Sequence, residues 1–301
     1  MTTEPTSLKH LAGTVGIWTA THETLPPSRA GELAGEIEAM GYGALWVPEA
    51  WGREAFTNAA LLLAGTTRLT IATGIANIWA RDAVAAVNAT KTLNATFDGR
   101  FVLGLGVSHQ PLVERMRGHE YASPLEHMRE YLTAMDNAPM LAVEGEQPYA
   151  RVIAALGPKM LQLGGELADG VHPYLVTPEI TRIARQAVGH KFVGVEQAVV
   201  LGGDRAEFLR RAHSHLEFYT GLENYRNSWR RQGFADEDFV RGGSVRLCDA
   251  MVVHGDEGAV LERITAHRTA GADHVCLQVL GPDATPPMGD WRRIADALHH
   301  S

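Results

Sequence analysis

The sequence predicts a single (β/α)₈ barrel spanning residues 1–301. Short apolar segments alternate with stretches of helical periodicity along the chain, and eight such segments can be counted. Right-handed crossovers of this kind close a parallel sheet on itself after eight units, and strands buried on both faces read as near-continuous apolar runs. In addition, several runs stop at small residues, as in Leu69–Ile75 with Gly74 and Phe101–Val107 with Gly104 and Gly106. Small residues at strand ends let a backbone approach a ligand closely. An open doubly wound sheet is the alternative. Against it, Gly104-x-Gly106-x-x-His109 lacks the third glycine of a dinucleotide fingerprint and comes late in the chain.

Each element follows from local pattern. Val15–Trp18 is the first strand, and Arg29–Met40 sets Ala30, Leu33, Ile37 and Met40 on one helical face before Gly41 ends the helix. Ala44–Val47 is the second strand, followed by a helix over Phe56–Ala64. Leu69–Ile75 and Phe101–Val107 flank a helix over Ala83–Phe97. Ser123-Pro124-Leu125-Glu126 reads as a capping box with proline at the first helical position, opening a helix to about Met135. Strands at Arg151–Leu156 and Gly170–Leu175 precede helices at Pro158–Leu167 and Pro178–Val188. Glu196–Leu201 leads into one long helix from about Arg205 to Arg231, whose Glu and Arg residues read as a solvated face. Gly233–Met251 is irregular. Glu257–Ala270, His274–Leu280 and Trp291–Leu298 complete the chain as helix, strand and helix.

Composition narrows the function classes. A net charge of −8 lacks the basic field that nucleic acid or an anionic membrane surface requires. No run of 18 apolar residues occurs, and residues 1–5 carry no basic and apolar leader pattern, so a cytoplasmic protein with a small-molecule substrate is expected. Cys248 and Cys276 are far apart and lack metal-ligand spacing.

In a barrel, chemistry sits at the C-terminal strand ends. Trp18, Trp51, Trp79, His172 and Tyr174 fall there and are candidates for a substrate pocket. A metal-dependent hydrolase would want His-x-His after the first strand, where this chain has Trp18-Thr19-Ala20-Thr21-His22. Lys9, Lys91, Lys159 and Lys191 all lie outside predicted strands, which argues against a Schiff-base lysine. What remains is an aromatic, glycine-rich rim suited to a flat cofactor that brings its own reactivity.

Four segments in order, Gly43–Glu49, Thr73–Asn77, Gly99–Gly106 and Ala155–Pro158, resemble the bacterial-luciferase-like superfamily. More narrowly they look like its branch that uses the deazaflavin coenzyme F420. The resemblance implies an F420-dependent oxidoreductase acting on a small organic substrate as a homodimer. It also implies a bulge with a non-proline cis peptide at Gly74-Ile75 or the bond before it, backing the cofactor ring within Thr73, Gly74, Ile75 and Asn77. Glu49 would face the ring as a catalytic and cofactor-contacting carboxylate, and His109 would take the place of a relative's glutamate as proton donor, a role histidine can fill near neutral pH. Gly106, Val107, Ser108, Leu156, Gly157 and Pro158 would bind the ring or tail. Ala50 stands where several relatives carry a catalytic histidine, which puts alcohol- or sugar-oxidising chemistry in doubt. An FMN-dependent monooxygenase of the same superfamily and a non-catalytic flavin-binding protein are the alternatives.

Overall fold

The computed structural model describes residues 5–142 and 148–300. Eight parallel strands close the barrel: β1 (Val15–Trp18), β2 (Ala44–Val47), β3 (Thr70–Thr73), β5 (Phe101–Gly106), β6 (Ala150–Ala154), β7 (Gly170–His172), β8 (Phe192–Leu201) and β10 (His274–Val279). Closure is direct, since β10 pairs with β1 from Val15↔Val275 to Ile17↔Leu277, and with β8 from His274↔Gly194 to Val279↔Val199. The two-residue β4 (Ala76–Asn77) resumes beside β5 after the third strand breaks at a cis Gly74-Ile75 peptide. That is one of the two bonds at which the resemblance implies a cis peptide.

The connecting helices are α2 (Ala30–Ala39), α3 (Ala55–Ala64), α4 (Ala83–Thr96), α5 (Pro124–Asp136), α6 (Pro158–Leu167), α7 (Pro178–Val188) and α11 (Glu257–Thr269), with α12 (Met288–His299) last. Their apolar faces pack on the outward residues of the strands, such as Leu45, Ile71, Leu103 and Val199, in one continuous core. Inward residues, including Trp46, Ala72, Val102 and Val152, form a second cluster inside the barrel. A helix not expected from the sequence, α1 (Thr6–Leu11), adds the buried Leu8 and Leu11 to that inner cluster. Among the described residues, no helix is long and apolar enough to cross a membrane.

Three further expectations are corrected. The helix expected over Arg205–Arg231 is two, α8 (Arg205–Thr220) and α9 (Glu223–Arg231), divided at Gly221-Leu222. The segment expected to be irregular contains α10 (Val245–Met251) and leads into a strand, β9 (Val252–Gly255). β9 exists because β8 is ten residues long, whereas β7 pairs only with its first two, Phe192 and Val193. The rest of that edge of β8, Ala198–Leu201, is left for Val252–Gly255 to hydrogen-bond. The helix at Pro124 forms, but Ser123 has φ 43° and its side chain caps nothing, so there is no capping box.

Candidate active site

A cavity of about 940 Å³ opens at the C-terminal ends of the barrel strands. Its floor is the bulge. Gly74 must be glycine because an added Cβ would lie 2.6 Å from Trp18 Nε1. That nitrogen donates to the Gly74 carbonyl at 3.0 Å and locks the Trp18 ring against the turn. Gly106 is bare for a related reason: a Cβ there would lie 2.4 Å from the Ile75 side chain. The two glycines thus make room for Trp18 and Ile75, which line the cavity beside them.

Of the residues expected in the site, Trp18, Glu49, Trp51, Gly74, Ile75, Gly106, Val107, Ser108, His109, Leu156, Gly157, Pro158, His172 and Tyr174 all line this cavity. Thr73, Asn77 and Trp79 do not. The Thr73 hydroxyl donates to the Gly104 carbonyl at 2.7 Å and accepts from the Gly104 N–H at 2.8 Å, so it closes the β3–β5 seam. The Asn77 side chain accepts from the Trp79 backbone N–H at 3.0 Å. Trp79 donates to the Val107 carbonyl and stacks on His127 at 4.0 Å, behind the loop rather than in the pocket.

Glu49 also differs from its expected role. Its two oxygens take a bidentate contact from Arg81, plus the backbone N–H groups of Asn77 at 2.8 Å and Ala55 at 3.3 Å. The Glu49 side chain is 5 % exposed and the Arg81 side chain 13 %. A buried carboxylate with four donors and a fixed counter-ion is a clasp, not an acid–base catalyst. It ties the loop after β2 to the bulge after β3, a link reinforced by the Glu49 N–H donating to the Ile75 carbonyl at 3.1 Å.

His109 follows Ser108, which adopts φ 55° at the end of β5. Burial pushes the imidazole down to about 4, and its Nδ1 is buried without a hydrogen-bond partner among the described residues. At neutral pH the ring is therefore uncharged, so it can accept a proton or donate a hydrogen bond, which differs from the proton donor expected from the resemblance. His172 is also held down to about 4 by burial. Its Nδ1 donates to the Gly194 carbonyl at 2.8 Å, which leaves Nε2 as a bare acceptor facing Gly74.

Sequence reasoning missed the far wall. His215, Phe218 and Tyr219 of α8 and Tyr225 of α9 all line the cavity. Tyr174 donates to Gln278 Oε1 at 2.6 Å, so its one proton is committed, and Tyr219 must supply the proton of the 3.0 Å contact between the two hydroxyls. Burial lowers His215 to about 4 and raises Tyr219 to about 12, so this wall is uncharged near neutral pH. Trp51, 68 % exposed, meets Phe218 edge-on at 6.2 Å across the mouth. One signal was available in the sequence: His215 and Tyr219 are spaced i,i+4, and Gly221 follows. The other end of the cavity is basic. Lys159 lies in the first turn of α6, whose N-cap is Gly157, and Arg231 reaches the Leu156 carbonyl at 2.9 Å.

A closed eight-stranded barrel with a cavity at its C-terminal rim defines a class, the (β/α)₈ proteins with a rim pocket. Within that class, the model of the luciferase-like monooxygenase family matches residues 11–274, and the chain belongs to that family. Among its relatives, a protein named as a coenzyme F420-dependent oxidoreductase from Mycobacterium tuberculosis is 28 % identical over 250 residues, covering 69 % of this chain and 71 % of that one. In fold it is similar to an F420-dependent secondary alcohol dehydrogenase solved with an F420-acetone adduct, with TM-score 0.73, 15 % identity and coverage of 95 % and 98 %. It is also similar to the oxygenating constituent of 3,6-diketocamphane monooxygenase from Pseudomonas putida, solved with FMN, with TM-score 0.69, 13 % identity and coverage of 94 % and 96 %.

Proposed function

We propose that this protein is an oxidoreductase that uses coenzyme F420 to transfer hydride to or from a small organic substrate. The observation that carries the reading is the cavity of about 940 Å³ at the strand C-termini, with the Gly74-Ile75 bulge and Gly106 in its wall. The F420-dependent relatives add support. When bound, the deazaflavin supplies the hydride chemistry.

The protein's own residues do the rest. Gly74 and Ile75 would hold one ring face, with Trp18 fixing the turn that presents them. The backbone N–H groups opening α6, with Lys159 and Arg231, would hold the anionic tail, because a helix start carries unpaired donors and partial positive charge. His109, which lines the cavity, would exchange a proton with substrate oxygen or nitrogen. The aromatic wall of α8 and α9 would exclude water and seat an uncharged substrate. Ala50 keeps alcohol oxidation through a histidine at that position out of the proposal.

The test is turnover of reduced F420 with a panel of enones, imines and aldehydes, followed by the cofactor's absorbance. Oxidation of the deazaflavin that depends on an added acceptor supports the reading, and none with any acceptor overturns it. An FMN-dependent monooxygenase is the second reading, favoured by the likeness to the FMN-bound structure, and it predicts oxygen uptake with reduced FMN. The homodimer implied by the resemblance is proposed alongside, with sedimentation as its check.

A further inference from the structure

Glu196 lies in the middle of β8, fully buried, on the strand face that also carries the inward Phe192, Ala198 and Val200. Its surroundings contain no cation that acts on it among the described residues. The groups that feel its charge are Tyr174 after β7, Tyr219 on α8, Tyr225 on α9 and Cys276 on β10. One carboxyl oxygen accepts from the Leu175 N–H at 3.0 Å, and the Glu196 backbone N–H donates to the Pro173 carbonyl at 3.0 Å. Glu196 thus grips the turn Pro173–Leu175 with both its main chain and its side chain.

That turn is where the barrel holds the substrate-side wall. Tyr174 meets Tyr219 of α8 hydroxyl to hydroxyl at 3.0 Å. The Leu175 carbonyl accepts from Trp229 Nε1 of α9 at 3.2 Å. Leu175 has φ 52°, a left-handed conformation that a branched apolar residue adopts only when its surroundings impose it. The Glu196 bond to its N–H is one such constraint, and the Trp229 bond to its carbonyl is the other.

We propose that Glu196 is a positioning residue that fixes the α8–α9 wall over the cavity by holding the Tyr174–Leu175 turn, and that it does so as a neutral carboxylic acid. The inference takes α8 and α9 as the substrate side of the proposed F420 site and so rests on that reading. Burial raises the carboxyl to about 8, and its second oxygen has no hydrogen-bond partner among the described residues. An ionised Glu196 would put an uncompensated charge beneath three tyrosines, and hydrating that charge requires the wall to open.

Tryptophan emission and acrylamide quenching across about pH 6–10 test this without any cofactor, so the outcome is independent of the F420 reading. Subtracting the Trp229→Phe trace isolates Trp229. The expected result is a several-fold rise in Trp229 quenching centred near pH 8 in the wild type. Glu196→Gln, which keeps an oxygen for Leu175 but cannot ionise, should show protected Trp229 throughout. Glu196→Asp, one methylene short of Leu175, should expose Trp229 already at neutral pH. No step in the wild type, a step retained by Glu196→Gln, or full protection in Glu196→Asp would each overturn the proposal. The wild-type and Asp traces decide the matter if the Gln variant does not fold.

Discussion

Arg81→Ala is the perturbation whose size can be worked out most fully. Arg81 contributes two of the four donors on buried Glu49. It also reaches Glu54 at 2.9 Å and lies 5.0 Å from the centroid of the Phe56 ring. Breaking a buried pair by removing one partner costs about 3–5 kcal/mol, because the other charge stays behind uncompensated. Glu49 keeps the Asn77 and Ala55 amides, which pulls the estimate toward the low end of that range. The Glu54 contact involves a side chain 48 % exposed and adds less than about 1 kcal/mol. The total is a loss of about 3 kcal/mol, or roughly 5 °C in Tm for a chain of this size. Urea and thermal unfolding at neutral pH would measure it. Adding Glu49→Gln to an Arg81→Met background should recover most of the loss, since a neutral amide needs no counter-ion. A loss under about 1 kcal/mol, or a double variant no better than Arg81→Ala, would refute the clasp.

Other outcomes follow from the same geometry. Gly74→Ala should leave the chain folded but weaken cofactor binding by about tenfold or more, because the new methyl lies 2.6 Å from Trp18 Nε1 and must push the ring or the turn aside; unchanged affinity would clear Gly74 of the role. Gly104→Ala sets a Cβ 1.9 Å from the Thr73 carbonyl, a rigid backbone atom, and should destabilise strongly by circular dichroism melts. His109→Ala should lower kcat by about a hundredfold, and wild-type activity should stay level from about pH 6 to 7, where the His109 ring is neutral and Glu196 still protonated. The buried His22 and His172 and the half-buried His109 and His215 are held at about 4, below the 6.5 of the free side chain, so the unfolded chain binds more protons between those values. Their contribution to stability is therefore complete above about pH 6.5 and lost as pH falls toward 4, which acid titration by circular dichroism would show.

The barrel was legible because its strands are buried on both faces and short: runs such as Leu69–Ile75 and Phe101–Val107 have few other readings. The bulge was legible only through the family resemblance, which put it at Gly74-Ile75 or the bond before it. Partnerships across the chain were not. Nothing local to Glu49 announces Arg81, which is 32 residues away, and so a clasp looked like a cofactor-facing acid. Thr73, Asn77 and Trp79 have the expected sequence positions, but the break after β3 turns them into the seam and the loop behind it. The α8–α9 wall was hidden because Arg and Glu dominate its composition, although His215, Tyr219 and Tyr225 face inward. β9 escaped because its pairing depends on β8 outlasting β7, a length difference set by the turn at Pro173 rather than by any residue of β9 itself.

Equilibrium binding of F420 and of FMN to the purified protein, read by cofactor and tryptophan fluorescence, tests the central claim most directly. The account expects F420 to bind at micromolar concentration or tighter and at least about tenfold more strongly than FMN, with Lys159→Ala and Arg231→Ala weakening F420 in a salt-dependent manner. Tight FMN binding with no detectable F420 binding would contradict it.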